Sequence, residues 1–134
     1  MTQYRISEAA GLLGVSDDTV RRWVEAGSLA TGTDDGGRAV VEGVDLAAFA
    51  VARAHAPDDP AAGSSSARNR FAGLVTAITT DRVMAQVELQ CGPFRVVSLM
   101  SSEAVRELGL EVGDRALAVV KATTVVVETP RGHR

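Results

Sequence analysis

The 134-residue sequence contains one cysteine, two histidines, five aromatic residues and a single lysine. One cysteine, Cys91, excludes an intrachain disulfide and fits a reducing compartment. Cys91, His55 and His133 show no metal-ligand spacing, so no structural metal and no cofactor is expected. With aromatics at 4%, any core must be built from Val, Leu, Ala and Ile. No apolar run approaches the roughly 20 residues that span a bilayer, and MTQYRISEAAGLL lacks a signal-peptide pattern. A cytoplasmic protein without a membrane partner is the expectation. There is also no nucleophile–base pair, glycine-rich phosphate loop or carboxylate dyad, so no enzyme is expected.

What is present divides in two. HAPDDPAAGSSS is rich in Pro, Ala, Gly and Ser and lacks apolar periodicity, which predicts a flexible linker over 55–65. Residues 1–57 carry five arginines against eight acids, whereas residues 66–134 carry nine basic residues against seven acids. The formal charge of −3 therefore hides a slightly basic C-terminal half and gives no global attraction to nucleic acid.

Upstream of the linker the apolar spacing is helical. Ser7 is the expected cap of a first helix with Ala10, Leu12 and Leu13 as its apolar residues, and Gly14 permits the turn. Ser16 is the expected cap of a second helix that stops at Gly27, with Val20, Trp23 and Val24 as its buried stripe. Two short helices joined by a glycine-containing turn fit a helix-turn-helix. DDGG predicts a hairpin wing ending near Arg38, and Asp45 is the expected cap of a third helix through Arg53.

The run ISEAAGLLGVSDDTVRRWVEAGSL, then GR and VDLAAF, resembles the winged helix of the MerR/excisionase superfamily over residues 4–54. The resemblance implies binding of double-stranded DNA. By position it puts Ser16, Thr19, Arg21 and Arg22 of the second helix, and Arg38 of the wing, on the duplex.

Downstream the pattern is that of strands. RFAGLVTAITT, VMAQVELQ and FRVVSLM are separated by a TDR turn and by CGP, which predicts hairpin-linked strands. SSEAVRELGL predicts a short helix with Ser102 as cap, Val105 and Leu108 facing inward, and Gly109 as stop. A last strand is expected through ALAVVKATTVVVE. The fold class is then α+β in two small domains, the second an OB-like β-barrel with one short helix. About 65 residues bury too little to be comfortable alone, and the last strand is apolar on both faces, so self-association is expected.

Lys121 stands inside that valine-rich strand. Ser66, Arg68 and Asn69 precede the first strand, Ser98 lies on the third, and Ala122 and Thr123 follow Lys121. No Asp or Glu occurs from Ser64 to Thr80 or from Arg115 to Val127. A tetrahedral oxyanion calls for hydroxyls, amide N–H groups and one or two cations. Arg68 suits it as a planar fork and Lys121 as a compact charge.

SARN before the first strand, SEAVRELGLEVGD, and VKATTV near the end resemble the Mop/TOBE family of molbindin-type domains over residues 64–129. The resemblance implies molybdate or tungstate held between subunits of a homo-oligomer. Ser66, Arg68, Ser98, Lys121 and Thr123 would hold it, with backbone N–H groups around Ala122. Arg70 stands where that family often has Gln, and the sequence assigns it no role. The expected layout is thus 1–54 winged helix, 55–65 linker, 66–129 oxyanion-binding domain and 130–134 tail. The expected function is a molybdate- or tungstate-responsive transcriptional regulator. The alternative is an oxyanion binding or storage protein without sequence-specific DNA binding, since Asp17 and Asp18 sit at the helix end that would meet the duplex.

Overall fold

The computed structural model describes residues 2–55, 58–59, 61, 63 and 65–130. Part of the linker expected at 55–65 and nearly all of the tail expected at 130–134 lie outside those residues. The chain forms two compact units, Met1–His55 and Ala56–Arg134. Both contain helices and antiparallel strands, as the α+β expectation has it.

The first unit opens with a strand that the sequence pattern did not suggest, β1 (Gln3–Arg5). Helix α1 (Ile6–Leu13) follows directly, so its N-cap position is Arg5 and not Ser7. Glu8 accepts the Arg5 backbone N–H at 2.9 Å, which satisfies a donor at the helix entrance. Ala9 and Ala10 face the core and Leu13 is half-buried, whereas Leu12 is 64% exposed, correcting its place in the expected apolar face. Gly14 closes α1 in the left-handed region at φ 71°, open to glycine without strain.

Ser16 caps α2 (Asp17–Glu25), accepting the Thr19 N–H at 3.2 Å. The hairpin of β2 (Gly32–Thr33) and β3 (Ala39–Glu42) is closed by Asp34, whose carboxylate accepts the N–H groups of Gly36 and Arg38, both at 2.9 Å. β3 also pairs with β1, giving the order β1-β3-β2. Helix α3 (Gly43–Arg53) starts from Glu42, so Asp45 lies in its first turn and does not cap it. The core joins Ala9, Ala10, Val20, Leu29, Val41 and Leu46. Trp23 and Phe49 pack beside it as a tilted pair with ring centroids 4.9 Å apart, and the Arg53 guanidinium lies 4.8 Å from the Trp23 ring.

The second unit is one curled antiparallel sheet. Its strands are β4 (Asn69–Thr80), β5 (Met84–Cys91), β6 (Phe94–Ser101) and β7 (Arg115–Val120), in the order β6-β5-β4-β7. The expected OB-like barrel is here a half-barrel, with β6 and β7 as its two edges. Helix α4 (Ser102–Leu108) connects them. Its cap is Ser101, which accepts the Ala104 N–H at 3.0 Å. Ser102, the expected cap, is buried and donates its hydroxyl to the Arg82 carbonyl at 2.9 Å. Val105 points into the core, whereas Leu108 is largely exposed. The inner face collects Val75, Ala85, Val87, Leu89, Cys91 and Val105.

The last strand is shorter than its composition suggests. β7 ends at Val120, and Lys121 leads into a 3-10 turn, Ala122–Thr124. Val125, Val126 and Val127 then run on exposed, the last two at 83% and 85%. They form no ladder among the described residues. The expected continuous strand through Lys121 is therefore corrected.

Candidate functional site

Two sets of residues were expected to carry function, and each unit holds one. In the second unit the register of β4 and β7 does most of the positioning. Asn69 is paired with Val120 and Arg70 with Val119. One step beyond the last bridged pair, Arg68 comes across from Lys121. Two segments more than 50 residues apart thus meet at one corner of the sheet. The Asn69 side-chain amide donates to the Val120 carbonyl at 3.2 Å. Asn69 is therefore the residue that ties the two segments together.

At that corner Ser66, Arg68, Lys121, Ala122 and Thr123 are all exposed. Among the described residues neither the Arg68 guanidinium nor the Lys121 ammonium has a hydrogen-bond or ion-pair partner. The 3-10 turn begins its own bonding with the Thr124 N–H, which reaches the Lys121 carbonyl at 3.0 Å. The N–H groups of Ala122 and Thr123 precede that bond and find no acceptor within the turn. Thr124 also donates its hydroxyl to the Lys121 carbonyl at 2.8 Å, fixing the backbone at the cation. On the other side, Ser65 accepts the Ala67 N–H at 3.1 Å and shapes the turn that carries Ser66. Two cations, two hydroxyls and two amides without a partner among the described residues form a donor set for a tetrahedral anion.

Ser98 is not brought to this corner. It lies on the opposite edge strand, facing inward, in the wall of an open apolar cavity of about 460 Å³ with Val87, Leu89, Met100 and Ala116. Arg70, unassigned in the sequence, has a partner. Its Nε donates to Asp59 Oδ2 at 2.6 Å, and both side chains are largely covered, at 14% and 18% exposure. The Arg70 guanidinium holds the Asp59 carboxyl below the usual carboxylate range. An aspartate in a Pro-rich stretch reads as a solubilising residue, and no local spacing links it to a strand 11 positions on.

In the first unit the expected DNA-facing residues of α2 form a ladder. Ser16 and Thr19 share a hydroxyl hydrogen bond of 3.0 Å, and Arg22 Nη2 donates to Thr19 Oγ1 at 3.0 Å. Arg21 instead pairs with Asp18 at 3.4 Å, an exposed i, i+3 pair. Such pairs contribute about 0–1 kcal/mol, so a phosphate can compete for Arg21. Arg38 is exposed at the end of the wing turn, and no contact joins it to α2 among the described residues.

Comparison with known proteins adds the family context. The helix-turn-helix domain family matches residues 4–53, and the TOBE domain family matches residues 65–127. Neither is a catalytic family. A probable molybdenum-pterin-binding protein of Haemophilus influenzae is 46% identical over 63 residues, which are 46% of this chain and 91% of that protein. The molybdenum transport protein ModE of Herbaspirillum seropedicae is 39% identical over 66 residues, 48% of this chain but 24% of that protein. The cytoplasmic molybdate-binding protein ModG, solved with molybdate bound, superposes with a TM-score of 0.50 at 40% identity. That match covers 54% of this chain and 52% of ModG. The chain thus spans about a quarter of its ModE relative and about half of ModG. On these matches the chain belongs to the TOBE domain family, carrying a helix-turn-helix domain ahead of its TOBE domain.

Proposed function

We propose that this protein is a DNA-binding transcriptional regulator that responds to molybdate or tungstate. The observation that carries the reading is the corner where Arg68 comes across from Lys121, two side-chain cations without partners among the described residues, flanked by hydroxyl and amide donors. Ser66, Ala122 and Thr123 complete the donor set, with Asn69 holding it in register. The relatives, a molybdate-binding protein and a molybdenum transport protein among them, supply the oxyanion class. The corner is open to solvent, so a fully enclosed anion needs a second subunit. Ser98, which lies elsewhere in the same chain, is then available to a neighbouring copy. The exposed Val125–Val127 segment supports homo-oligomerisation through the TOBE domain.

Ser16, Thr19, Arg21, Arg22 and Arg38 are the residues we assign to duplex DNA. Their ladder presents Arg22 in a set geometry, which favours the regulator. Asp17 and Asp18 at the start of α2 favour the second reading, an oxyanion-binding or storage protein whose helical unit binds no operator. Either protein would be cytoplasmic. No helix among the described residues is long and apolar enough to cross a membrane.

Isothermal titration with molybdate, tungstate and sulfate tests the oxyanion half. Tight binding of the two larger anions, lost in Lys121→Ala, is the expected result. Absence of heat with all three would remove the reading. Duplex affinity that falls steeply with salt separates the regulator from the storage protein.

A further inference from the structure

Arg70 lies on the strand that leads out of the proposed oxyanion corner, two residues from Arg68 and across the ladder from Val119. Arg68 lies just before β4 and Arg70 is its second residue, so Arg70 is the next cation along the chain from Arg68. Unlike them it is neutralised. Asp59 faces it through two guanidinium nitrogens, at 2.6 Å and 3.5 Å, and a second carboxylate bond comes from the Ala61 N–H at 2.8 Å. Asp59 lies in the first residues of the second unit, within the stretch expected to join it to the first. No other acid makes an ion pair with a cation of this corner among the described residues.

We propose that Asp59 is a built-in counter-anion which an incoming tetrahedral oxyanion displaces from Arg70. This rests on the oxyanion reading and adds a residue and a regulatory contact to it. A carboxylate and an oxyanion make the same demand on a guanidinium, two hydrogen bonds in one plane. While Asp59 holds Arg70, the corner offers two cations; once Asp59 leaves, it offers three. The exchange lowers apparent affinity by the cost of breaking the Asp59 contact. It also releases the joining stretch only when ligand is present, which supplies the differential interaction that ligand control of the first unit requires.

The test is a two-by-two set of full-length proteins: wild type, Asp59→Asn, Arg70→Gln and the double variant. Each is titrated with sodium molybdate by calorimetry. Asp59→Asn is expected to tighten binding about tenfold. In the Arg70→Gln background the same change is expected to have no effect, since the pair acts as a unit. Limited proteolysis supplies a second readout. Cleavage within residues 55–65 is expected to speed up with molybdate in the wild type, and to be fast without it in Asp59→Asn. Wild-type binding that Asp59→Asn leaves unchanged, or a gain that persists without Arg70, overturns the counter-anion and leaves the oxyanion reading standing. Failure of all four proteins to bind overturns both.

Discussion

Gly73 and Cys91 face each other across the β4–β5 edge so closely that a Cβ at position 73 would stand 2.7 Å from the Cys91 sulfur. It would also stand 2.3 Å from the Gln90 carbonyl oxygen. The second distance is to backbone, which cannot rotate aside. Gly73→Ala is therefore expected to push the two strands apart and destabilise the TOBE domain by about 3 kcal/mol, at the upper end of overpacking costs. Urea unfolding of the variant checks this. A midpoint equal to wild type would mean that the strands yield at no cost.

The same neighbourhood sets the reactivity of Cys91. Burial pushes its thiol up, and Sγ lies 3.6 Å from the Phe71 carbonyl. A buried, protonated thiol is a poor nucleophile. Cys91 is expected to resist a disulfide reagent at neutral pH and to react fully in denaturant. Fast labelling of native protein would show that the strand edge opens readily.

Asp81 should make stability depend on acid. Its carboxylate accepts the Met84 and Val83 N–H groups at 2.7 Å and 2.8 Å, which lowers its pKa. A group whose folded pKa is depressed stabilises fully above its unfolded value, about 3.9, and loses that contribution as pH falls through the folded value. Asp81→Asn is expected to flatten the fall in urea midpoint from about pH 4 downward. A slope identical to wild type would place the acid sensitivity in other carboxylates.

Thr19 connects Ser16 to Arg22, so its hydroxyl matters to Arg22 without being required for the helix. With a random-sequence duplex, Arg22→Ala is expected to reduce the salt slope of binding by about one. Thr19→Val is expected to weaken binding while leaving that slope unchanged, because the charge remains. Fluorescence anisotropy against salt distinguishes them. Equal slopes in wild type and Arg22→Ala would take Arg22 off the phosphates.

Val126 is a large apolar side chain left almost fully exposed beyond the end of β7. Val126→Asp is expected to shift the protein toward monomer in sedimentation equilibrium, with helical content unchanged. An unchanged mass would place self-association elsewhere.

Much of this architecture is legible in the residues. The Ser16 cap, the turn at Gly14, the hairpin at TDR and the αL stop at Gly109 each depend on local chemistry, and each occurs where that chemistry puts it. What could not be read depends on distant partners. VVKATTVVV has unbroken strand preference, yet β7 stops at Val120 because its neighbour β4 begins at Asn69 and offers nothing further to bond. Of the two serines at 101 and 102, the first is the last residue paired with β5, and that register makes it the cap. β1 is three residues, visible only through its pairing with β3. The Asp59–Arg70 pair is equally nonlocal. At the proposed oxyanion corner the residue types are evident in the sequence, but the role of Asn69 as a tie between chain segments emerges only from the ladder.

That tie has a consequence for how such a domain can be used. Because Asn69 lies beside Val120, the chain enters and leaves the four-stranded sheet at almost the same point. A module whose two ends adjoin can be appended to another domain, repeated in tandem or inserted into a loop without a long connector. Each such junction also lies next to Arg68 and Lys121, so whatever is joined there sits within reach of the proposed anion site.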